Sequence, residues 1–306
     1  MRPSRLESQG EERDIVAQGR PPSRRRGEAT DGKEGRGLPS LRAVVKLLIA
    51  LLLLLALLYL ALRWLERRVA FMPTRAWDLS LPTAEGGAEE IHFRGQDGVL
   101  LSGAWFPRGD AMGVILYCHG NAGNLSHRIP IAMAWRRLGY SILLFDYRGY
   151  GRSEGTPSEE GLIIDARAAW REAVRLGGEN AVIAGRSIGT VPAIELAGEV
   201  PARGLVLDSP PLSAREMAGR ILPIPGIGSL LSLRLDNLSS IDRVRCPLLI
   251  IHGVEDEVIP FDHGRRLFDA APEPKTFLPL PGLSHNSPRE QPQVLRALAD
   301  FLDRLP

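Results

Sequence analysis

The stretch Val182-Ile183-Ala184-Gly185-Arg186-Ser187-Ile188-Gly189-Thr190 decides how the rest of the chain is read. A short apolar run of β character drops into Gly-x-Ser-x-Gly and then into a helix-forming segment, the context of a nucleophile elbow. In such an elbow the serine sits on a sharp strand-to-helix turn whose crowded backbone leaves no space for a Cβ on either side, hence Gly185 and Gly189. The turn lifts the Ser187 hydroxyl above the sheet. A helix starting at Ile188 then presents unpaired N–H groups to an oxyanion forming on an attacked carbonyl. Gly-x-Ser-x-Gly is weak alone, and gains its force from an acid and a histidine that follow in order.

On both sides of this stretch the pattern alternates. Ile91 to Phe93 and Val99 to Phe106 read as strands joined at Asp97-Gly98, a hairpin signal. Gly113 to Cys118 is a continuous apolar strand of the buried parallel kind, ending in the Gly-rich loop His119-Gly120-Asn121-Ala122-Gly123-Asn124. Then come a helix over Ile129 to Leu138, a strand over Ser141 to Phe145, a turn-rich loop over Asp146 to Ser153, and a helix over Glu159 to Leu176. After the serine, a helix over Ile188 to Ala197 leads to a strand over Gly204 to Leu207. From Pro210 to Cys246 the alternation stops, and Pro223, Pro225, Gly226 and Gly228 interrupt a leucine-rich stretch. This insertion reads either as a small lid or as a packed crossover connection. Strand Pro247 to Ile251, a short helix to Ala270, strand Lys275 to Leu280 and a helix from Pro288 to Leu302 complete the pattern. Strands alternating with helices imply right-handed βαβ units and a mostly parallel sheet with helices on both faces.

The first part of the chain differs in kind. Residues 1–40 are rich in Arg, Glu, Gly, Ser and Pro and read as a disordered basic tail. Residues 43–62 are almost entirely Leu, Ala, Val and Ile, with Lys46 near enough to the end to snorkel, and twenty such residues span a hydrocarbon core. A cleaved signal peptide is the rival reading, but the leader is long and no small-x-small site follows. Residues 1–69 carry roughly 14 basic groups against 8 acidic ones, while the whole chain of 306 residues has a net charge of only +2. The positive-inside tendency therefore places the N-terminus in the cytoplasm and the domain on the extracytoplasmic, periplasmic or lumenal side. The basic residues flank an apolar run and lack interleaved aromatics, which points to a membrane and not to nucleic acid.

A serine hydroxyl needs a base, and the base needs a group that fixes its tautomer. His285, in the loop Pro281 to Asn286, and Asp256, in the loop Gly253 to Glu257, both follow strand ends, on the edge where open parallel sheets bind ligands. Asp208, after the preceding strand, is a rival acid, and the bland reading of Asp256 is a capping or turn residue. A plain loop histidine and a tight structural turn are the corresponding bland readings of His285 and Ser187. The oxyanion donors expected are the backbone N–H groups of Ile188 and Asn121. His92, His119, His127, His252 and His263 read as structural or exposed, and Cys118 and Cys246 as core thiols outside any essential disulfide. There is no zinc or nucleotide motif, so no cofactor or metal is expected.

With His-Gly-Asn-Ala-Gly-Asn at 119–124, Asp-Tyr-Arg-Gly-Tyr-Gly-Arg-Ser at 146–153, Gly-Arg-Ser-Ile-Gly at 185–189, and Asp256 and His285 in their loops, the chain resembles a known group. It looks like the membrane-anchored α/β-hydrolase-domain proteins of the serine-aminopeptidase-like branch, whose relatives include depalmitoylating thioesterases and lysophospholipid lipases. The resemblance covers residues 70–304 and implies an α/β-hydrolase fold with Ser187 as nucleophile, Asp256 as acid and His285 as base. Two departures stand out: Thr190, where relatives often carry Gly or Ala, and a tail without the cysteine cluster some relatives use for lipid attachment. The expectation is a single-pass, membrane-anchored serine hydrolase that cleaves carboxylic esters or thioesters of small or lipid-like acyl substrates. The alternatives are a peptidase with the same triad and a non-catalytic scaffold on the same fold.

Overall fold

The computed structural model describes residues 40–82, 87–221 and 223–306. The expected tail, residues 1–40, lies outside the described residues but for its last one. The chain divides into two units at Leu52–Leu53, and one helix, α1, runs from Leu41 to Ala70. It is longer than the apolar run 43–62, because Arg63 to Ala70 holds good helix formers that continue it with a polar character.

The second unit contains one eight-stranded sheet in the order β1-β2-β4-β3-β5-β6-β7-β8. β1 (Glu89–Arg94) and β2 (Leu100–Phe106) form the hairpin expected at Asp97-Gly98, where Gly98 has φ 85°. β2 also pairs antiparallel with β4 (Tyr140–Phe145). β3 (Gly113–Cys118), β5 (Ala181–Arg186), β6 (Gly204–Asp208), β7 (Leu248–Gly253) and β8 (Lys275–Leu280) complete the sheet in parallel register. Continuous apolar strands bury both faces, so alternate residues enter opposite cores: Val114, Leu116 and Cys118 on one side of β3, Ile115 and Tyr117 on the other.

Helices α3 (Glu159–Gly177), α4 (Thr190–Ala197) and α6 (Phe261–Ala270) cover the first face. α2 (Ile129–Arg136) and α7 (Pro292–Leu302) cover the second. α3 shows why its sequence folds so: the Ser158 hydroxyl accepts the Gly161 N–H at 3.0 Å, Glu159 and Glu160 occupy the positive end, and Gly178 at φ 82° ends it. Two expected boundaries need correction. α4 begins at Thr190, because Ser187–Gly189 make a tight 3-10 turn; α7 begins at Pro292, because Ser287 and Arg289 are taken up in the loop of His285. The insertion after β6 contains α5 (Ala214–Ile221) and an irregular segment, Leu231–Leu235.

Candidate active site

β5 delivers Ser187 at its end. The residue has φ 52°, a left-handed conformation costly for a non-glycine and characteristic of a strained functional turn. The elbow closes because its glycines have no side chain: a Cβ on Gly185 would lie 2.6 Å from the Gly189 carbonyl oxygen, and one on Gly189 would lie 2.2 Å from that of Cys118. The Thr190 hydroxyl donates to the Ser187 carbonyl at 2.6 Å and accepts Nδ2 of Asn237, in the insertion, at 2.8 Å. Thr190 thus ties the elbow to the insertion.

β7 and β8 deliver the acid and the histidine. His285 Nδ1–H donates to Asp256 Oδ2 at 2.8 Å, so the Nδ1 edge of the ring is the one held by the carboxylate. The other oxygen of Asp256 accepts the Val258 and Ile259 N–H groups at 3.0 and 2.7 Å, so the carboxylate is fixed in direction. Burial pulls its proton affinity up, but the His285 hydrogen bond and charge and the Ile259 N–H outweigh it and hold the carboxyl below its ordinary value. Asp208, the rival acid, is turned elsewhere: Arg289 Nε donates to it at 3.0 Å and Arg186 Nε stands 3.5 Å away. These arginines also grip the histidine loop. Arg186 Nη2 donates to the His285 carbonyl at 2.6 Å, and Arg289 Nη1 to the Ser287 carbonyl at 2.8 Å.

The loop after β3 lies against the elbow, since a Cβ on Gly120 would come within 3.6 Å of Ser187 Cβ. The Asn121 N–H has no partner among the described residues, while its side-chain oxygen accepts the Met72 N–H at 2.8 Å and the Tyr150 hydroxyl at 3.0 Å. Asn121, Ser187, Ile188 and His285 line one cavity of about 570 Å³, with Asp256 behind the histidine. The volume suits a small-molecule ligand, for which sites of about 300–1,000 Å³ are usual. Leu231, Leu233, Leu235 and Met217 of the insertion make part of the wall.

Three of the other histidines, His119, His252 and His263, are buried, whereas His92 is exposed. His119, driven by burial down to about pKa 3, donates from Nδ1 to the Gly120 carbonyl at 2.7 Å. His252, held neutral by burial, contacts the Ile259 carbonyl through Nε2 at 3.0 Å and so braces the turn that carries Asp256. Cys118 and Cys246 are free thiols, pushed by burial up to about 12 and about 11. No group of His, Cys, Asp and Glu suited to a metal occurs among the described residues. Sequence reading missed the Arg186–Asp208–Arg289 network: Arg186 occupies a variable position of the motif and Arg289 a loop read as helix, and their meeting with Asp208 is tertiary.

An elbow between strand and helix, on the C-terminal edge of a mostly parallel eight-stranded sheet, defines an α/β hydrolase. Residues 109–239 match the family model described as serine aminopeptidase, S33. The chain is 39% identical over 236 residues to the uncharacterised protein Rv2307c of Mycobacterium tuberculosis, covering 73% of this chain and 81% of that one. It is 35% identical over 195 residues to the alpha/beta hydrolase domain-containing protein 17B of Homo sapiens, covering 62% and 66%. Among solved structures it is similar to the Pyrococcus furiosus esterase Pf2001, with a TM-score of 0.65 at 19% identity over 76% of this chain and 99% of the other. The chain belongs to the α/β hydrolases by fold and to the same family as the Mycobacterium tuberculosis protein Rv2307c.

Proposed function

We propose that the protein is a membrane-anchored serine hydrolase that cleaves carboxylic esters or thioesters of acyl substrates through an acyl-enzyme. One observation carries this reading: the His285–Asp256 pair at 2.8 Å lines up behind the same cavity in which Ser187 stands on a strained elbow. Nε2 of His285, free to accept, takes the Ser187 proton as Oγ attacks the acyl carbonyl. The imidazolium that forms is stabilised by the ionised Asp256. The oxyanion meets the N–H groups of Ile188 and Asn121, each worth about 3 kcal/mol of transition-state stabilisation. His285 returns its proton to the departing alcohol or thiol, and water, activated in the same way, releases the acid.

The leucines of the insertion favour an acyl group on the carbonyl side. The family description, serine aminopeptidase, carries the second reading, amide cleavage at a free amino terminus. A site for an α-ammonium calls for a free carboxylate, and the carboxylate on the cavity wall among the described residues, Glu66, is engaged with Arg63, Ser232 and Leu233. Esters are therefore the preferred substrates. α1 anchors the protein in the bilayer, with residues 1–40 cytoplasmic and residues 70–304 as an extracytoplasmic domain.

Labelling of the full chain in detergent with a fluorophosphonate, beside Ser187→Ala and His285→Ala, tests the reading. Labelling and p-nitrophenyl ester hydrolysis are expected in the wild type and in neither variant. A folded wild type that takes no label would make the scaffold reading the better one.

A further inference from the structure

α1 inverts the usual order of burial. Its leucines from Leu51 to Leu60 are exposed, whereas its buried residue is a carboxylate, Glu66. A helix that serves only as a tether has no reason to bury a charge, and a buried carboxylate persists only where partners satisfy it. Glu66 is fully engaged: Oε1 accepts the Leu233 N–H at 2.7 Å, and Oε2 accepts the Ser232 hydroxyl at 2.9 Å and faces Arg63 Nη1 at 3.0 Å. Arg63 also donates to the Leu230 carbonyl. On the far side of the same segment, Glu159 of α3 accepts the next two N–H groups, Arg234 at 2.8 Å and Leu235 at 2.6 Å. Leu231–Leu235 thus hangs between two carboxylates, with Leu235 held at φ 43° and Leu231, Leu233 and Leu235 turned to the cavity.

The helix end takes part in the cavity as well. Glu66, Val69, Ala70 and Met72 line it together with Ser187 and His285. Met72 N–H binds the Asn121 side chain, and the collar continues through Thr74 N–H to the Gly123 carbonyl at 3.0 Å. At a rise of about 1.5 Å per residue, Glu66 and Ala70 lie about 6 and 12 Å along the helix from Leu62, the end of the apolar run. With a headgroup layer about 5–7 Å deep on each side, Glu66 falls within it and Ala70 just outside, at the water surface.

We infer that the last two turns of the anchor helix form a wall of the acyl-binding slot at the membrane surface, and that Glu66 is the positioning residue that holds the leucine segment over Ser187. This rests on the hydrolase reading above. It assigns the slot to the chain of a long acyl ester or thioester that stays partly in the bilayer while its carbonyl reaches the serine.

The test uses the full chain in nanodiscs with p-nitrophenyl butanoate and dodecanoate. In Glu66→Ala the KM for dodecanoate is expected to rise about tenfold and that for butanoate about twofold, with Glu66→Gln, which keeps an acceptor for Leu233, returning most of the loss. A proportional loss on both esters, or none on either, would overturn the slot. Two readouts do not need catalysis. Hydrogen exchange over residues 231–235 is expected to quicken in Glu66→Ala, and unchanged protection would overturn the clamp. A photoreactive hexadecyl ether, which lacks the carbonyl a serine attacks, is expected to crosslink residues 69–72; crosslinks elsewhere only would overturn the wall. If Ser187 proves inert to fluorophosphonate, the hydrolase reading falls, while exchange and crosslinking still decide the role of the helix.

Discussion

At the scale of the residue, Asn121 holds two duties that substitution separates. Its N–H is a candidate oxyanion donor and its side chain joins the loop to Met72 and Tyr150. Asn121→Ala keeps the donor and loosens the collar, so ester turnover is expected to fall about tenfold or less. Asn121→Pro deletes the N–H and is expected to cost about 10²–10³ in kcat. Equal losses in the two variants would remove Asn121 from the oxyanion hole. The candidate donor was legible in the sequence because a Gly-rich loop after a buried strand exposes its backbone. The side-chain role was not, since Met72 lies 49 residues away.

At the scale of the element, the elbow and the insertion are one mechanical piece. Thr190, read in the sequence as a crowding departure, has a buried hydroxyl bonded both to the Ser187 carbonyl and to Asn237. Thr190→Val keeps the shape and removes both bonds, leaving Asn237 Nδ2 with the Pro211 carbonyl alone. A loss of about 1–3 kcal/mol is expected, measured by thermal unfolding in detergent. The strand and helix series was legible because buried parallel strands and amphipathic helices have distinct periods. The boundaries at Thr190 and Pro292 were not, because the turn at Ser187 and the grip of Arg289 on the histidine loop override local helix preference.

At the scale of the whole molecule, stability couples to pH through buried groups that act in opposite senses. Asp146, on the loop after β4, is raised by burial from 3.8 to about 6, despite the Leu125 N–H and the Trp77 indole that it accepts. The folded chain therefore binds this proton more tightly than the unfolded one, and the Asp146 contribution to stability falls as pH rises from about 4 to 6, by about 3 kcal/mol. Asp256 is lowered, so its contribution is complete above the ordinary aspartate value and is lost as pH falls through the folded one. Buried His119, lowered to about 3, acts in the opposite sense over the same range, so the Asp146 contribution is read as the difference in the pH slope of Tm between the wild type and Asp146→Asn in detergent. Asp146→Asn is expected to make Tm rise more steeply with pH between about 4 and 6, and an unchanged slope would remove Asp146 from the pH dependence.

The sequence by itself determined the α/β order, the elbow with its glycines, and the candidate serine, acid and histidine, because each is carried by a local pattern: an apolar run, a turn that excludes Cβ, a strand end. Only the tertiary structure decided between Asp256 and Asp208 as the partner of His285, since both follow strands and differ in which cation or imidazole the fold sets beside them. Only it brought Glu66 of the apolar helix to Ser232 and Leu233, some 166 residues further along the chain. No local period encodes a contact at that separation; it exists because the sheet places the end of α1 and the insertion on the same edge, where one buried carboxylate needs donors and the backbone of the other supplies them.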